Sequence, residues 1–174
     1  LLWSNDLAIA LQQTVHILEA FLLFFLLYFG PLDFREAMAW FIAGAVIPSL
    51  LGIAQFLLQT TWANLWLGLT YHPVWEAGTS VVQGEIGRWL RAYGPFSHPN
   101  VFGGYLAAVI VFLLALSGKS KITYFFVSAI LVSALFFTFS RSAWIAFAIV
   151  TLFHCYMVAR NSKKCRLSSI IYQV

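Results

Sequence analysis

Charge is what this sequence has least of. Six carboxylates and ten lysines and arginines make up 9% of its 174 residues, whereas 61% are hydrophobic. A water-soluble domain carries about 25% charged residues, so a chain like this has too little polar surface to stay in water. Cysteine is almost as scarce. Cys155 and Cys165 have neither the spacing nor the partners of a zinc or redox site, and neither suggests a disulfide. No cleaved signal peptide stands out, because the first apolar run is long enough to span a membrane. Internal repeats and low-complexity tracts are absent too. The formal charge of +4 does not indicate a nucleic-acid partner, since the basic residues cluster in short loops and report topology.

What is there is hydrocarbon-compatible sequence. The expected fold class is all-α, a polytopic bundle of transmembrane helices making one membrane domain over 1–174. Crossing about 30 Å of hydrocarbon takes roughly 20 apolar residues, and five segments qualify: 7–29, 37–58, 100–117, 122–139 and 143–159. The last two could be taken for one helix. Residues 122–159 would then be roughly 57 Å long at ~1.5 Å per residue, nearly twice the bilayer. Ser140-Arg141-Ser142 lies at the midpoint, so a tight hairpin there gives two short spans. The chain opens on Leu1 and stops at Val174 as a new apolar stretch begins, and it reads as a fragment of a longer protein.

Orientation follows from the basic residues. With loops 31–36, 117–121 and 160–166 on the cytoplasmic side, that side holds Arg35, Lys119, Lys121, Arg160, Lys163, Lys164 and Arg166, seven of the ten. Arg88, Arg91 and Arg141 are left outside, where the positive-inside rule expects few. The outer loop, 59–99, carries Trp62, Trp66, Trp75 and Trp89. Trp62, Leu65, Trp66 and Leu69 fall at i, i+3, i+4 and i+7, which predicts a helix lying on the membrane surface. An aromatic belt accounts for these tryptophans more simply than a sugar-stacking platform does.

Two stretches break the apolar pattern. Arg91 to Tyr105 reads RAYGPFSHPNVFGGY, and Thr138 to Trp144 reads TFSRSAW. Gly94 and Pro95 interrupt the chain, and Pro99 and Asn100 open the third span with Asn100 as the expected N-cap. Gly103 and Gly104 permit close approach of a neighbouring helix. An arginine kept near hydrocarbon must be offset by something. The partial positive charge of the adjacent helix start makes Arg91 part of an anion site. Arg141 repeats the arrangement between Ser140 and Ser142, at the start of the fifth span. It either snorkels to lipid headgroups or converges with Arg91 on one diphosphate, which guanidinium groups bind in bidentate fashion. Arg88, three residues before Arg91, could join them but reads more simply as a surface charge.

The pattern Arg-x-x-Gly-x-Phe-x-His-Pro-Asn, from Arg91 to Asn100, followed by Thr-x-Ser-Arg-x-x-Trp, from Thr138 to Trp144, resembles the O-antigen ligase and O-antigen polymerase family. These bacterial inner-membrane proteins transfer glycans from an undecaprenyl-diphosphate carrier on the outer, periplasmic face. The resemblance covers about residues 85–160. It implies a membrane domain like that of type C glycosyltransferases, working without a metal or cofactor. The implied partners are an undecaprenyl-diphosphate-linked glycan donor, a glycan or lipid A-core acceptor and membrane lipids, with no nucleic acid. It also implies that Arg91 and Arg141 bind the donor's diphosphate and stabilise charge on the leaving group, with Gly94, His98, Asn100 and Ser140 supporting them. The family's proposed general base is a histidine in a large outer loop between later spans, which would lie beyond Val174. His98 belongs to the motif and reads as a turn residue, not as that base.

Other polar residues are few. His72 precedes Pro73 in the outer loop, and His154 sits in the fifth span near Cys155. Gln12, His16 and Glu19 fall at i, i+4 and i+7 on the first span, either as an interhelical polar contact or as an ion path. That stripe keeps a second function open, transport of a small anion such as bicarbonate. A truncated, inactive product is the third. Charges gathered at the outer face favour the transferase; charges along a through-path would favour transport.

Overall fold

The computed structural model describes residues 7–31, 33–64, 69–85, 87–116 and 121–171, with side chains over these stretches except at 7–9, 12, 13, 121 and 161–171. The element order is α1 (Leu7–Phe29), α2 (Phe34–Leu58), β1 (Val81–Gly84), β2 (Gly87–Leu90), α3 (Pro99–Ala115), α4 (Lys121–Phe137) and α5 (Arg141–Ile171). The protein is mostly helical. Two stretches, Phe34–Leu58 and Arg141–Arg160, are long and apolar enough to cross a membrane. Thr14–Phe29, Pro99–Ala115 and Ile122–Phe137 are apolar over shorter lengths.

The chain divides into two compact units, Leu1–Ala37 and Met38–Val174. In the first, α1 exposes every large apolar side chain from Phe21 to Phe29, which suits a helix bathed in hydrocarbon. Phe24 stacks on Tyr28 and Phe25 on Phe29, with ring centroids 5.8 and 5.7 Å apart, the i,i+4 contacts of one helix face. His16 Nδ1 lies 3.2 Å from Glu19 Oε2, the one ion pair among the described residues. The Gln12 side chain of the expected polar stripe lies outside them. Asp33 starts α2: its carboxylate accepts the Arg35 N–H at 3.1 Å and its carbonyl the Ala37 N–H at 2.9 Å.

The second unit is built around α3. Phe102, Leu106, Val109, Ile110 and Leu113 repeat at helical spacing and are all buried. They form one core with Ile42 and Ala45 of α2, Leu131, Ala134 and Leu135 of α4, and Ala143 of α5. Phe102 is held between two glycines. A Cβ on Gly52 would come within 2.5 Å of its ring and one on Gly94 within 3.0 Å. The close packing of α2, the following loop and α3 depends on those missing atoms.

Four expectations change. The fold is not purely α: β1 and β2 form an antiparallel hairpin inside the 59–99 loop, with Val81 opposite Leu90 and Gly84 opposite Gly87. The sequence VVQGEIGRWL carries the strand signal, β-branched and aromatic residues around a glycine-bounded two-residue turn, which a reading by hydropathy passes over. Of the surface helix expected over 62–69, the described residues, 62–64 and 69, are not helical. Asn64 and Leu69 exchange both backbone hydrogen bonds, at 3.0 and 2.9 Å, as antiparallel chains do; Leu65 and Trp66 lie outside the described residues. α5 runs on to Ile171, through the basic stretch 160–166 expected to be a loop, because lysine and arginine are good helix formers. Finally, α3 begins at Pro99 and its N-cap is His98, not Asn100. Proline has no N–H to satisfy and suits the first helical position, which puts the cap at His98, two residues before Asn100.

A candidate anion site between two helix ends

The first motif is the loop that leaves β2 and enters α3, and its backbone is pinned on three sides. Arg91 N–H donates to the Ser80 carbonyl at 3.4 Å and Ala92 N–H to the Phe137 carbonyl, at the end of α4, at 2.9 Å. The Tyr93 and Gly94 amides both donate to Oε1 of Gln55 on α2, at 3.2 and 2.7 Å. Gln55 Nε2 returns a bond to the Gly94 carbonyl at 3.0 Å. Gly94 makes the turn with φ of 59°, a left-handed conformation that glycine adopts without steric cost.

Arg91 reaches from this loop to both neighbouring helices. Its Nε donates to the Thr138 carbonyl and its Nη2 to Asn100 Oδ1, each at 2.6 Å. The last carbonyls of a helix have no intrahelical donor and carry partial negative charge, so Arg91 caps α4 at its C-terminus. Part of what offsets this arginine is therefore structural, a role the motif did not show. Burial lowers its pKa from the ordinary guanidinium value, with Tyr93 opposing the shift, yet a guanidinium keeps its proton in proteins. Two of its five N–H donors are engaged.

Arg141 is the first residue of α5. It is exposed, and its side chain has no hydrogen-bond or ion-pair partner among the described residues. The turn that presents it is three residues long. Thr138 Oγ1 donates to the Leu135 carbonyl at 2.7 Å and accepts the Ser140 N–H at 3.3 Å. Phe139 takes a φ of 48°, uncommon for a residue with a Cβ. Ser140 is buried, its carbonyl accepting the Trp144 N–H at 3.0 Å and its hydroxyl meeting that of Ser142 at 3.3 Å. Trp144 is fixed by its indole N–H to the Leu135 carbonyl at 3.1 Å and by stacking on Phe136 at 5.4 Å.

The two arginines line one cavity. It has a volume of about 320 Å³ and is bounded by Val81, Val82, Arg91, Phe139, Arg141 and Trp144. Neither guanidinium is paired with a carboxylate among the described residues. The N-terminus of α5 adds its partial positive charge. Such a cavity can hold an anion against apolar and aromatic walls, with Arg141 free to engage it and Arg91 offering its remaining donors.

The supporting residues divide by role. Asn100 holds the Arg91 side chain rather than capping α3. His98 does the capping: its Nδ1 accepts the Asn100 N–H at 3.1 Å, and its Nε2 meets Ser80 Oγ at 3.0 Å. An Nδ1 that accepts must be unprotonated, so Nε2 carries the hydrogen and donates to the serine. Both ring nitrogens of His98 are thus occupied by loop structure. Arg88 is exposed on β2 opposite Gln83 and is not part of the cavity wall. His72 stacks on Tyr93 with ring centroids 4.3 Å apart, while the Tyr93 hydroxyl accepts the Ser80 N–H at 2.6 Å. Burial pulls the pKa of His72 below the ordinary imidazole value; Glu76 opposes this and His98 adds to it. Sequence reasoning missed Gln55 and the hairpin wall of Val81 and Val82. A lone amide in an otherwise apolar helix was the signal for Gln55; the hairpin's own strand pattern was the signal for the valines.

Among the described residues no three of His, Cys, Asp and Glu come together as a metal site. In comparisons with known proteins, the chain matches no family model, no curated protein and no solved structure.

Proposed function

We propose that this chain carries the donor-binding part of a multi-pass bacterial inner-membrane transferase, which moves a glycan from undecaprenyl diphosphate to an acceptor at the outer face. The five apolar helices are its spans, in the orientation set by the basic residues. An acceptor hydroxyl attacks the anomeric carbon with inversion and gives up its proton to a general base, which the family resemblance places in a later outer loop. The bond to the carrier oxygen breaks, and undecaprenyl diphosphate leaves with the electron pair. Arg91 and Arg141 stabilise the charge that develops there. The acceptor is a growing polysaccharide or lipid A-core.

The observation that carries this reading is the shared cavity. Two arginines separated by 50 positions, each in a motif resembling the ligase and polymerase family, line one space of about 320 Å³. The test uses protein from the complete reading frame, reconstituted in vesicles with an undecaprenyl-diphosphate-linked glycan and candidate acceptors. Removing one donor to a developing oxyanion costs about 10²–10³-fold in rate, so Arg141→Ala should lose transfer on that scale while still inserting. Full transfer in both Arg91→Ala and Arg141→Ala ends the diphosphate-clamp reading. Bicarbonate uptake by the same vesicles, with no glycan transfer, would favour the anion transporter.

A further inference from the structure

We infer that Gln55 is a positioning residue of the two-arginine cavity: it pins the Tyr93–Gly94 turn to α2 and so sets where Arg91 stands. Gln55 belongs to neither motif and lies 36 positions before Arg91 in sequence. Its side chain is 1% exposed, and an amide in apolar surroundings is costly unless its bonds are made. All three it makes go to this one turn. The dependence runs both ways, since among the described residues Gln55 Oε1 is the acceptor for both the Tyr93 and the Gly94 amide.

The turn is two residues from Arg91, whose side chain is stretched between the Thr138 carbonyl and Asn100. Those two bonds hold the guanidinium between α4 and α3. Gln55 holds the backbone it hangs from on α2, so the three helices together fix one side chain. The core packing of α2 does not need the amide, because Ile42 and Ala45 make those contacts. An uncharged side chain of similar length should therefore keep the fold and release the loop. Misplacing a clamping group by about 1 Å can cost 10²-fold in rate, so the released loop should matter to ligand binding.

Two readouts separate positioning from general loosening. The first is labelling by phenylglyoxal, an arginine-specific reagent, followed by peptide mass spectrometry. In Gln55→Met, Arg91 should react faster by about threefold or more, as for a local opening, while exposed Arg88 on β2 keeps its rate. The second readout, which rests on the diphosphate reading, is the affinity for farnesyl diphosphate in detergent micelles. Gln55→Met should weaken it about tenfold, and by less than about twofold when Arg91 is already Lys, since coupled residues are not additive. Gln55→Glu, which in its protonated form keeps both the acceptor for the two amides and the donor to the Gly94 carbonyl, should restore most of the protection of Arg91. Should Gln55→Met not fold, Gln55→Asn, one methylene short of the turn, is measured in its place. Unchanged Arg91 labelling overturns the proposal, as does an equal loss of affinity in both backgrounds. If wild-type protein does not bind the diphosphate but the labelling changes as expected, the functional reading fails and the positioning role stands.

Discussion

Gly103 and Gly104 stand side by side in the first motif, and the structure gives them opposite futures on substitution. A Cβ added to Gly103 would lie 3.0 Å from Cβ of Ala143, 3.0 Å from Cβ of Ser140 and 3.1 Å from Oγ1 of Thr138. None of these atoms can easily retreat. The two Cβ atoms are fixed to the backbone of the α4–α5 turn and α5, and the threonine hydroxyl is tied to Leu135 and Ser140. Overpacking of this kind costs about 1–3 kcal/mol, set against about 1 kcal/mol of helix propensity gained on replacing glycine by alanine. Because the neighbours are backbone-bound, the upper part of the range applies, and Gly103→Ala should lose about 1–2 kcal/mol net. Gly104 meets nothing within 4 Å, so Gly104→Ala should be neutral or gain up to about 1 kcal/mol. At roughly 2–4 °C per kcal/mol for a chain of this size, thermal unfolding in detergent should separate the two variants by several degrees. On the proposed function, Gly103→Ala should also lower transfer, because it pushes the Thr138–Arg141 turn away from Arg91. Equal stability of the two variants would refute the close packing of α3 on that turn.

The arginines should differ in what their loss does to the fold. Arg91→Ala removes two charge-assisted hydrogen bonds, each worth about 1.5–3 kcal/mol, and should lower the unfolding temperature as well as ligand binding; Arg141→Ala, at an exposed and unbonded position, should stay within about 0.5 kcal/mol of wild type while losing binding. Similar thermal losses in both would contradict the division of labour. His98→Ala should cost about 1 kcal/mol through the lost cap and His98→Asn much less, read as hydrogen exchange at the first turn of α3. For His72 the folded pKa is lowered, so the unfolded chain binds more protons over the window between the folded and ordinary values, and stability rises with pH there. The stability is complete above about pH 6.5 and falls as the pH drops through that window; unfolding followed from pH 7.5 to 5.5 should show the loss, and His72→Gln should flatten it.

The helices were legible because hydrophobic runs and the glycine, proline and serine breaks between them are local properties of the chain. So was the junction at Ser140: a continuous helix would have been too long, and the turn falls there. The arginines were legible as anomalies of charge, and their convergence on one cavity follows from both motifs flanking the start of a helix. What could not be read is which backbone groups lack partners at each helix end. That is a three-dimensional question, and it decides the roles of Arg91, Gln55 and His98. Arg91 looks like a free cation in sequence, but the unsatisfied carbonyl of Thr138 is within its reach. Gln55 looks like an isolated defect in α2 until the Tyr93 and Gly94 amides are placed beside it. The hairpin was missed for a different reason, since its apolar residues were counted for hydropathy and not for alternation.

The same accounting of helix ends bears on the charge of the cavity. Two arginines within one small space repel each other, and each needs hydration or a counter-charge. Here the C-terminus of α4 supplies partial negative charge to Arg91 through the Thr138 carbonyl, with none of the described carboxylates paired to it to cancel the field. Half a charge of this kind steadies one guanidinium but does not neutralise two. On the other side of a three-residue turn, the N-terminus of α5 adds to Arg141 instead of offsetting it. The tight turn thus sets a helix end that holds one arginine beside a helix start that leaves the other unsatisfied. An anion entering the cavity meets one anchored and one free guanidinium, and it provides the counter-charge that the protein's described carboxylates do not. On this argument a carboxylate introduced at the wall, as in Val82→Asp, should weaken anion binding more than Val82→Asn does, since both change the shape of the wall but only one brings the missing charge.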